Sequence, residues 1–201
     1  MIPSQGAAPQ ELPNVSEASA SRDERSADAA LVARIRAGDD DAFELLVGRF
    51  QAPLFRYLHG LLGSHEQAQD LLQETFLRAY RALASLDDPA LLRGWLYRIA
   101  HNQAVSALRR RRLISWLPLS LGQPLAAPER SSIEALHVND ALARVPVHQR
   151  EPLLLHLVGG FSYTEIATLL GQSEGTVRMR ISRARAAFRA AYGGEENDNA
   201  S

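Results

Sequence analysis

The chain has 201 residues, 46% of them apolar, no cysteine and a formal net charge of −1, which gives length for one or two small domains with real cores and excludes disulfides, thiolate zinc sites and a thiol switch, as suits a cytoplasmic protein. No apolar run approaches the roughly 18 residues that cross a bilayer, and the N-terminal stretch lacks the basic start and apolar segment of a secretory leader. The charge is uneven: all 22 basic residues are arginine, residues 1–30 sum to −3, the stretch from Gly193 to −3 and the body between to +5, with six arginines and no acid between Pro89 and Pro128, an asymmetry that points to a nucleic-acid partner.

Residues 1–27 are rich in Ser, Ala, Pro and Glu without periodicity and are expected to be disordered. Helical patterning begins at Asp28, with Leu31, Val32 and Ile35 on a short first helix stopped by Gly38. Asp39 to Asp41 offer caps for a second helix with Phe43, Leu46, Val47 and Phe50 on one face. Pro53 predicts a kink or restart before Leu54, Tyr57, Leu58 and Leu61, and Gly63-Ser64 ends that unit. The next helix opens at Ser64 and runs to about Ala84. Ala68, Leu72, Thr75, Phe76, Ala79 and Leu83 form its buried face, and Glu66, Asp70 and Glu74 an acidic stripe on another.

Asp87-Asp88-Pro89 breaks the chain. A further helix follows from about Ala90 to Arg112, with Leu92, Leu96, Ile99 and Leu108 inside and Arg109 to Arg112 at its end. Its arginines can neutralise phosphates. Trp95 and Tyr97 can stack on exposed bases, with core packing an equal reading for Trp95. Residues 113–131 hold three prolines and no helical period and read as a linker, with apolar residues (Ile114, Trp116, Leu117, Leu119, Leu121) suited to docking. Helices are then predicted from Ser132 to about Arg144 and from Pro146 through Val158.

The stretch Phe161 to Arg189, FSYTEIATLLGQSEGTVRMRISRARAAFR, reads as two short helices joined at Gly171. Ser162 and Glu165 form a capping box, and Ser173 caps the second helix. In that helix Val177, Ile181, Ala184 and Phe188 make a narrow apolar stripe. Arg178, Arg185 and Arg189 flank it on one side, Arg180 and Arg183 on the other. This is the layout of a helix-turn-helix whose second helix enters the major groove. Arginine is bidentate to guanine, and Arg178, Arg180 and Arg183 are the candidate base readers, with Arg185 on phosphate or structural. Thr176 and the helix N-terminus can take a phosphate, Tyr163 and Thr164 are placed to touch the backbone, and Met179 and Ser182 lie on the same surface. From Gly193 an acidic, disordered tail is expected.

The fold read this way is all-α: two helical domains joined by a flexible linker, residues 28–112 and 132–192, the second a helix-turn-helix. No strand or internal repeat is predicted. The six histidines are scattered, and no phosphate loop or nucleophile elbow is present, so no catalytic residue, metal site, cofactor or small-molecule substrate is expected.

The two blocks together resemble a bacterial sigma factor of the sigma-70 class, in its extracytoplasmic-function group. The resemblance rests on QAQDLLQETFLRAYRAL (Gln67 to Leu83) and RGWLYRIAHNQAVSALRRRR (Arg93 to Arg112) in the first block. In the second it rests on ALARVPVHQREPLLL and the helix-turn-helix sequence that follows. It implies that Asp70, Gln73 and Glu74, matching the family's Asp-x-x-Gln-Glu, dock on the clamp of the largest subunit of core RNA polymerase, with the flap of the second-largest subunit a further contact. It implies −10 promoter recognition by Arg93, Trp95, Arg98, Asn102, Arg109 and Arg110. A flipped base would be captured at Asn102 and, more loosely, at Arg98 and the loop Ser85 to Leu92. It implies −35 recognition by Tyr163, Thr164, Thr176, Arg178, Met179, Arg180, Ser182 and Arg183, and an anti-sigma factor as partner. The chain departs from the pattern at Leu96, where primary sigma factors have a second tryptophan, at Ser106, at Met179 and at Pro152. A stand-alone helix-turn-helix regulator is the alternative, and would require a ligand or dimerisation domain in the first block.

Overall fold

A computed structural model describes residues 15–115 and 133–198, with side chains placed for 23–113 and 137–193. Every regular element among them is helical: α1 (Val15–Arg36), α2 (Asp40–Leu62), α3 (His65–Ala82), α4 (Leu92–Ser115), α5 (Ile133–Arg144), α6 (Val147–Leu157), α7 (Tyr163–Leu170) and α8 (Glu174–Asp198), with 3-10 turns at Leu83–Ser85 and Pro89–Leu91.

Two expected ends move outward. Helix α1 takes in residues 15–27, where disorder is expected. Ser, Ala, Glu and Arg carry little helical penalty, and no proline interrupts the stretch. The helix is tied down at its far end, where Val32 is fully buried. Asp28 is buried as well, with its Oδ1 2.6 Å from Arg49 Nη1 on α2. Burial holds the Asp28 carboxyl above the ordinary carboxylate range, and the charges of Arg49 and Arg93 pull it back. At the other end α8 runs through Gly193 and Gly194 to Asp198, because each glycine costs only about 1 kcal/mol in a helix already formed. Residues 1–14, 116–132 and 199–201, with most of the expected linker and the end of the expected tail, lie outside the described residues.

The kink expected at Pro53 is absent: α2 is one helix through that position. The carbonyl that the missing N–H leaves unpaired belongs to exposed Arg49, while Leu54, Tyr57 and Leu58 are fully buried on the other side and hold the turn in place. Pro152 likewise lies inside α6.

One apolar core runs through both halves of the chain. It joins Leu46, Leu54 and Leu58 of α2 and Leu96 and Ala100 of α4 to Leu155, Ile166 and Ile181 of the C-terminal half. The two blocks pack directly on each other. Arg150, at the centre of the junction and 7% exposed, donates to the carbonyls of Ala143 in the last turn of α5 and Val145 just after it, and to those of Gly60 and Leu61 at the end of α2, all within 3.0–3.3 Å. Both helix ends present unpaired carbonyls and a partial negative charge, which a guanidinium satisfies. Burial lowers the pKa of Arg150, yet an arginine stays charged. Gly60 admits α6 at close range: a Cβ there would sit 2.9 Å from Leu154 Cδ2. His101 Nδ1 lies 2.8 Å from Glu151 Oε1 and 3.3 Å from the Tyr57 hydroxyl.

Tyr97, expected as a base-stacking residue, is instead 1% exposed. It stands edge-on to Tyr57 (5.4 Å) and to Phe161 (4.9 Å), and burial pushes its hydroxyl up to about 12. The inward face of α4 therefore includes 97, 100 and 104 as well as 92 and 96, a wider stripe than the predicted one.

Arg150→Met should destabilise the chain by about 3 kcal/mol in urea unfolding, since it strands buried carbonyls in both halves; an unchanged midpoint would refute the junction role. Gly60→Ala should cost roughly 1–3 kcal/mol by wedging α6 off α2. Gly48→Ala on the same helix, where a Cβ meets nothing within 4 Å, should stabilise by roughly 0.5–1 kcal/mol. The two alanine variants moving Tm in the same direction would contradict this geometry.

Candidate partner and nucleic-acid interfaces

Helix α3 owes its outward face to its caps and to its inward one. Ser64 Oγ accepts from the Gln67 N–H at 3.3 Å and starts the helix, and Ala68, Thr75, Phe76 and Ala79 bury one side. A polar lock fixes the rotation: the buried Gln103 of α4 donates to Thr75 Oγ1 at 2.9 Å, and that hydroxyl donates to Leu71 O at 2.6 Å. Asp70 and Gln73 are consequently exposed and Glu74 partly so. Glu74 accepts from Arg78 Nε at 2.6 Å. Leu77 continues this ridge one turn further and is 52% exposed; Tyr80 on the same helix (57%) and Leu45 of α2 (54%) are further exposed large side chains. Sequence reasoning missed Leu77 and Tyr80, although their signal was available: both are large apolar residues off the buried stripe.

A cleft of about 420 Å³ opens between α3 and α4, lined by Arg78, Arg81, Ala82, Trp95, Ile99 and Asn102. Trp95 both lines it and packs on the core, so its two readings are compatible. Asn102 is exposed two turns along the same face of α4, and Arg98, Arg109 and Arg110 are exposed as well. Arg78 and Arg81 stand out in the structure and not in the sequence, where they share the periodicity of an ordinary solvated helix face. Arg93 lies elsewhere. Its Nη2 is 3.3 Å from Glu165 Oε1, and its guanidinium sits 4.4 Å over the Phe161 ring, so it faces the start of α7 and is separated from Trp95 and Asn102.

The helix-turn-helix forms as its local chemistry dictates. Ser162 and Glu165 make the capping box, and Gly171 takes φ 65° to turn the chain. The Thr176 N–H donates to Ser173 Oγ at 3.2 Å. Val177, Ile181 and Ala184 are buried. This turns Met179 (44% exposed), Ser182 and Arg183 outward, with Thr176 and Arg180 half-buried on the same side. Arg178 is exposed but engaged: its Nη2 is 2.8 Å from Glu174 Oε1, and it lies 5.1 Å from the Tyr163 ring centre. Thr164 Oγ1 donates to the other oxygen of Glu174 at 2.9 Å. These hydrogen bonds, from Thr164 first and then Arg178, hold the Glu174 carboxyl below its ordinary value. It is therefore ionised at neutral pH and stands at the N-terminus of α8.

No group of three or more His, Cys, Asp or Glu side chains suited to a metal ion occurs among the described residues, nor is any helix there long and apolar enough to cross a membrane.

Comparison with known proteins agrees with this division. Sigma-70 region 2 matches residues 46–114, and Sigma-70, region 4 matches residues 137–188. The chain is 38% identical over 165 residues to the ECF RNA polymerase sigma factor SigM of Mycobacterium tuberculosis H37Rv, covering 82% of this chain and 84% of SigM. The chain belongs to the sigma-70 class of sigma factors, in the ECF group. This sigma factor is also 35% identical to the RNA polymerase sigma-H factor of Pseudomonas aeruginosa, over 80% of its own length and 91% of the relative's. Among solved structures it resembles CnrH in complex with the cytosolic domain of CnrY, with a TM-score of 0.66 and 29% identity over 84% of this chain and 98% of that one. It also resembles the sigma factor RpoE of Bartonella quintana in complex with the anti-sigma factor NepR, with a TM-score of 0.64 and 26% identity over 74% and 95% of the two chains. As a sigma factor it directs promoter-specific initiation by RNA polymerase, and the stand-alone regulator is not favoured, because the first block is region 2 rather than a ligand or dimerisation domain.

Glu174→Gln should release Arg178 and remove a repelling carboxylate at the tip of α8. Binding to a −35 duplex, followed by fluorescence anisotropy across a salt series, should tighten, and the slope of log K against log salt should steepen by about one. An unchanged slope would mean that this corner does not face phosphate.

Proposed function

We propose that this sigma factor divides its work among the three surfaces. Asp70, Gln73 and Glu74 dock on the clamp of the largest polymerase subunit, with Leu77 as an apolar anchor beside them. Spaced carboxylates on a rigid helix suit a basic partner and set orientation. The flap of the second-largest subunit receives the C-terminal half. The α3–α4 cleft takes the −10 element: Trp95 and the guanidinium groups of Arg78 and Arg81 stack on exposed bases or neutralise phosphate. Asn102 and the loop Ser85 to Leu92 hold an extruded base, whose unstacking costs a few kcal/mol. Helix α8 reads the −35 element with Arg178, Arg180 and Arg183, Met179 adding an apolar contact, and Ser182, Thr176, Tyr163 and Thr164 positioning the backbone.

The reading extends to the domain limits given above, with Arg109 and Arg110 on phosphate. It assigns Arg93 to DNA only once Arg93 leaves Glu165. The chain works in the cytoplasm and catalyses no covalent step itself. An anti-sigma factor is its inhibitor, by likeness to the RpoE–NepR complex. The observation that carries the reading is the coexistence on one chain of an outward carboxylate ridge on α3 and outward arginines on α8, whose first turn is capped by Ser173.

In vitro transcription with purified core polymerase tests it: the chain alone should confer start-site selection. Asp70→Ala with Glu74→Ala should weaken core binding by about tenfold or more and leave binding to a −35 duplex unchanged. Arg183→Ala should do the reverse, losing about 1–3 kcal/mol of base discrimination. Full core affinity in the double variant would remove the clamp assignment.

A further inference from the structure

The last residue of α1 reaches a segment nearly fifty residues further along the chain. Arg36 Nη2 donates to Leu83 O at 3.3 Å and to Ala84 O at 3.4 Å, and forms a short hydrogen bond to Leu86 O. These three carbonyls define the turn with which α3 ends and the connection to α4 begins. The side chains of Leu83 and Leu86 are buried beneath it, and α1 lies along the Pro89–Leu91 turn that completes the connection. Asp88 caps that second turn through the Ala90 N–H at 2.9 Å. What remains outward is a short rim, Ala84, Ser85, Asp87, Asp88 and Leu91, the last 60% exposed. The rim joins Ala82 to Trp95, two walls of the α3–α4 cleft.

A loop pinned at its backbone presents its side chains in one arrangement before a ligand arrives, and so avoids the ordering cost of binding. All three contacts are made by one terminal nitrogen, Nη2, whose two N–H groups are shared among the converging carbonyls. Arg36 precedes the span matched by Sigma-70 region 2, residues 46–114, so the donor comes from the N-terminal helix and the carbonyls it holds from that module.

We propose that Arg36 is a positioning residue for −10 recognition: it fixes the conformation of the Ser85–Leu92 loop and so sets how sharply this sigma factor discriminates among bases at the captured position. The proposal rests on the reading that this loop holds the extruded base.

The test uses the full chain with core polymerase, on four promoters that differ only in the base at the captured position. The readouts are open-complex formation, by permanganate reactivity, and transcript yield. Arg36→Ala should flatten the ratio between the best and worst base by about tenfold, by analogy with other losses of preorganisation, while core affinity and −35 duplex binding stay at wild-type values. Arg36→Lys should recover part of the ratio. Arg34→Ala, which removes only a surface ion pair with Asp39, should leave it unchanged. A uniform loss across all four promoters marks a merely structural role and overturns the proposal, as does a wild-type ratio in Arg36→Ala. Asn102→Ala and Leu91→Ala run in parallel separate the two layers. If they alter the ratio and Arg36→Ala does not, only the positioning role falls. If none of the three alters it, the loop does not read the base and both readings fall. Should Arg36→Ala fold poorly, the Lys variant carries the same comparison.

Discussion

A single buried guanidinium holds the two halves of this molecule in register. Arg150 satisfies carbonyls at the end of α2 and after α5 at once, so the C-terminal turn of one module and the helix–helix corner of the other share one donor. Around it Leu154 fills the space above Gly60, Tyr97 bridges Tyr57 and Phe161, and Glu151 meets His101. An apolar side chain at position 150 could fill the volume but not the carbonyls, and buried unsatisfied acceptors are more expensive than a modest loss of packing. The continuous core follows from that closure.

The same closure decides which basic residues are available to a partner. Arg93 is drawn onto Phe161 and Glu165. Arg178 is held by Glu174, a surface ion pair of the kind that contributes little stability and exchanges readily for a stronger anion. Arg183 stays exposed at the surface of α8. The chain has no lysine, and Arg150 shows what that favours: its planar fork gathers four carbonyls through three nitrogens. The count of arginines alone overstates the DNA-facing charge, because part of it is structural.

Helices α3 and α4 link the two proposed binding functions of region 2. The Gln103–Thr75–Leu71 chain fixes their mutual rotation, so the carboxylate ridge on the outer side of α3 and the cleft on its α4 side keep a fixed relation. A docking event on the ridge therefore orients the cleft with no intervening hinge, and the loop at the cleft's rim is tied back to α1.

Features set by neighbours close in sequence were legible without coordinates. The Ser162–Glu165 capping box, the Gly171 turn, the Ser173 cap and the stripe Val177, Ile181 and Ala184 depend on contacts within one or two helical turns, and they appear as read. So do the inward and outward faces of α3, which leave Asp70 and Gln73 exposed and Glu74 partly so. The passage of α2 through Pro53 was not legible, since tertiary burial of Leu54 and Tyr57 overrode a local preference. Nor were the burial of Tyr97, the diversion of Arg93 and the tasks of Arg36 and Arg150. Each of these is decided by a partner tens of residues away, such as Phe161 for Tyr97 or Gly60 for Arg150. An arginine on an exposed helix face and one that ties two modules together leave the same letter and the same periodicity in the sequence. The chain's pattern therefore determined which helices form and which faces they turn inward. Only the tertiary structure decided which of its cations are spent on carbonyls, because that depends on which chain ends packing brings within hydrogen-bond reach.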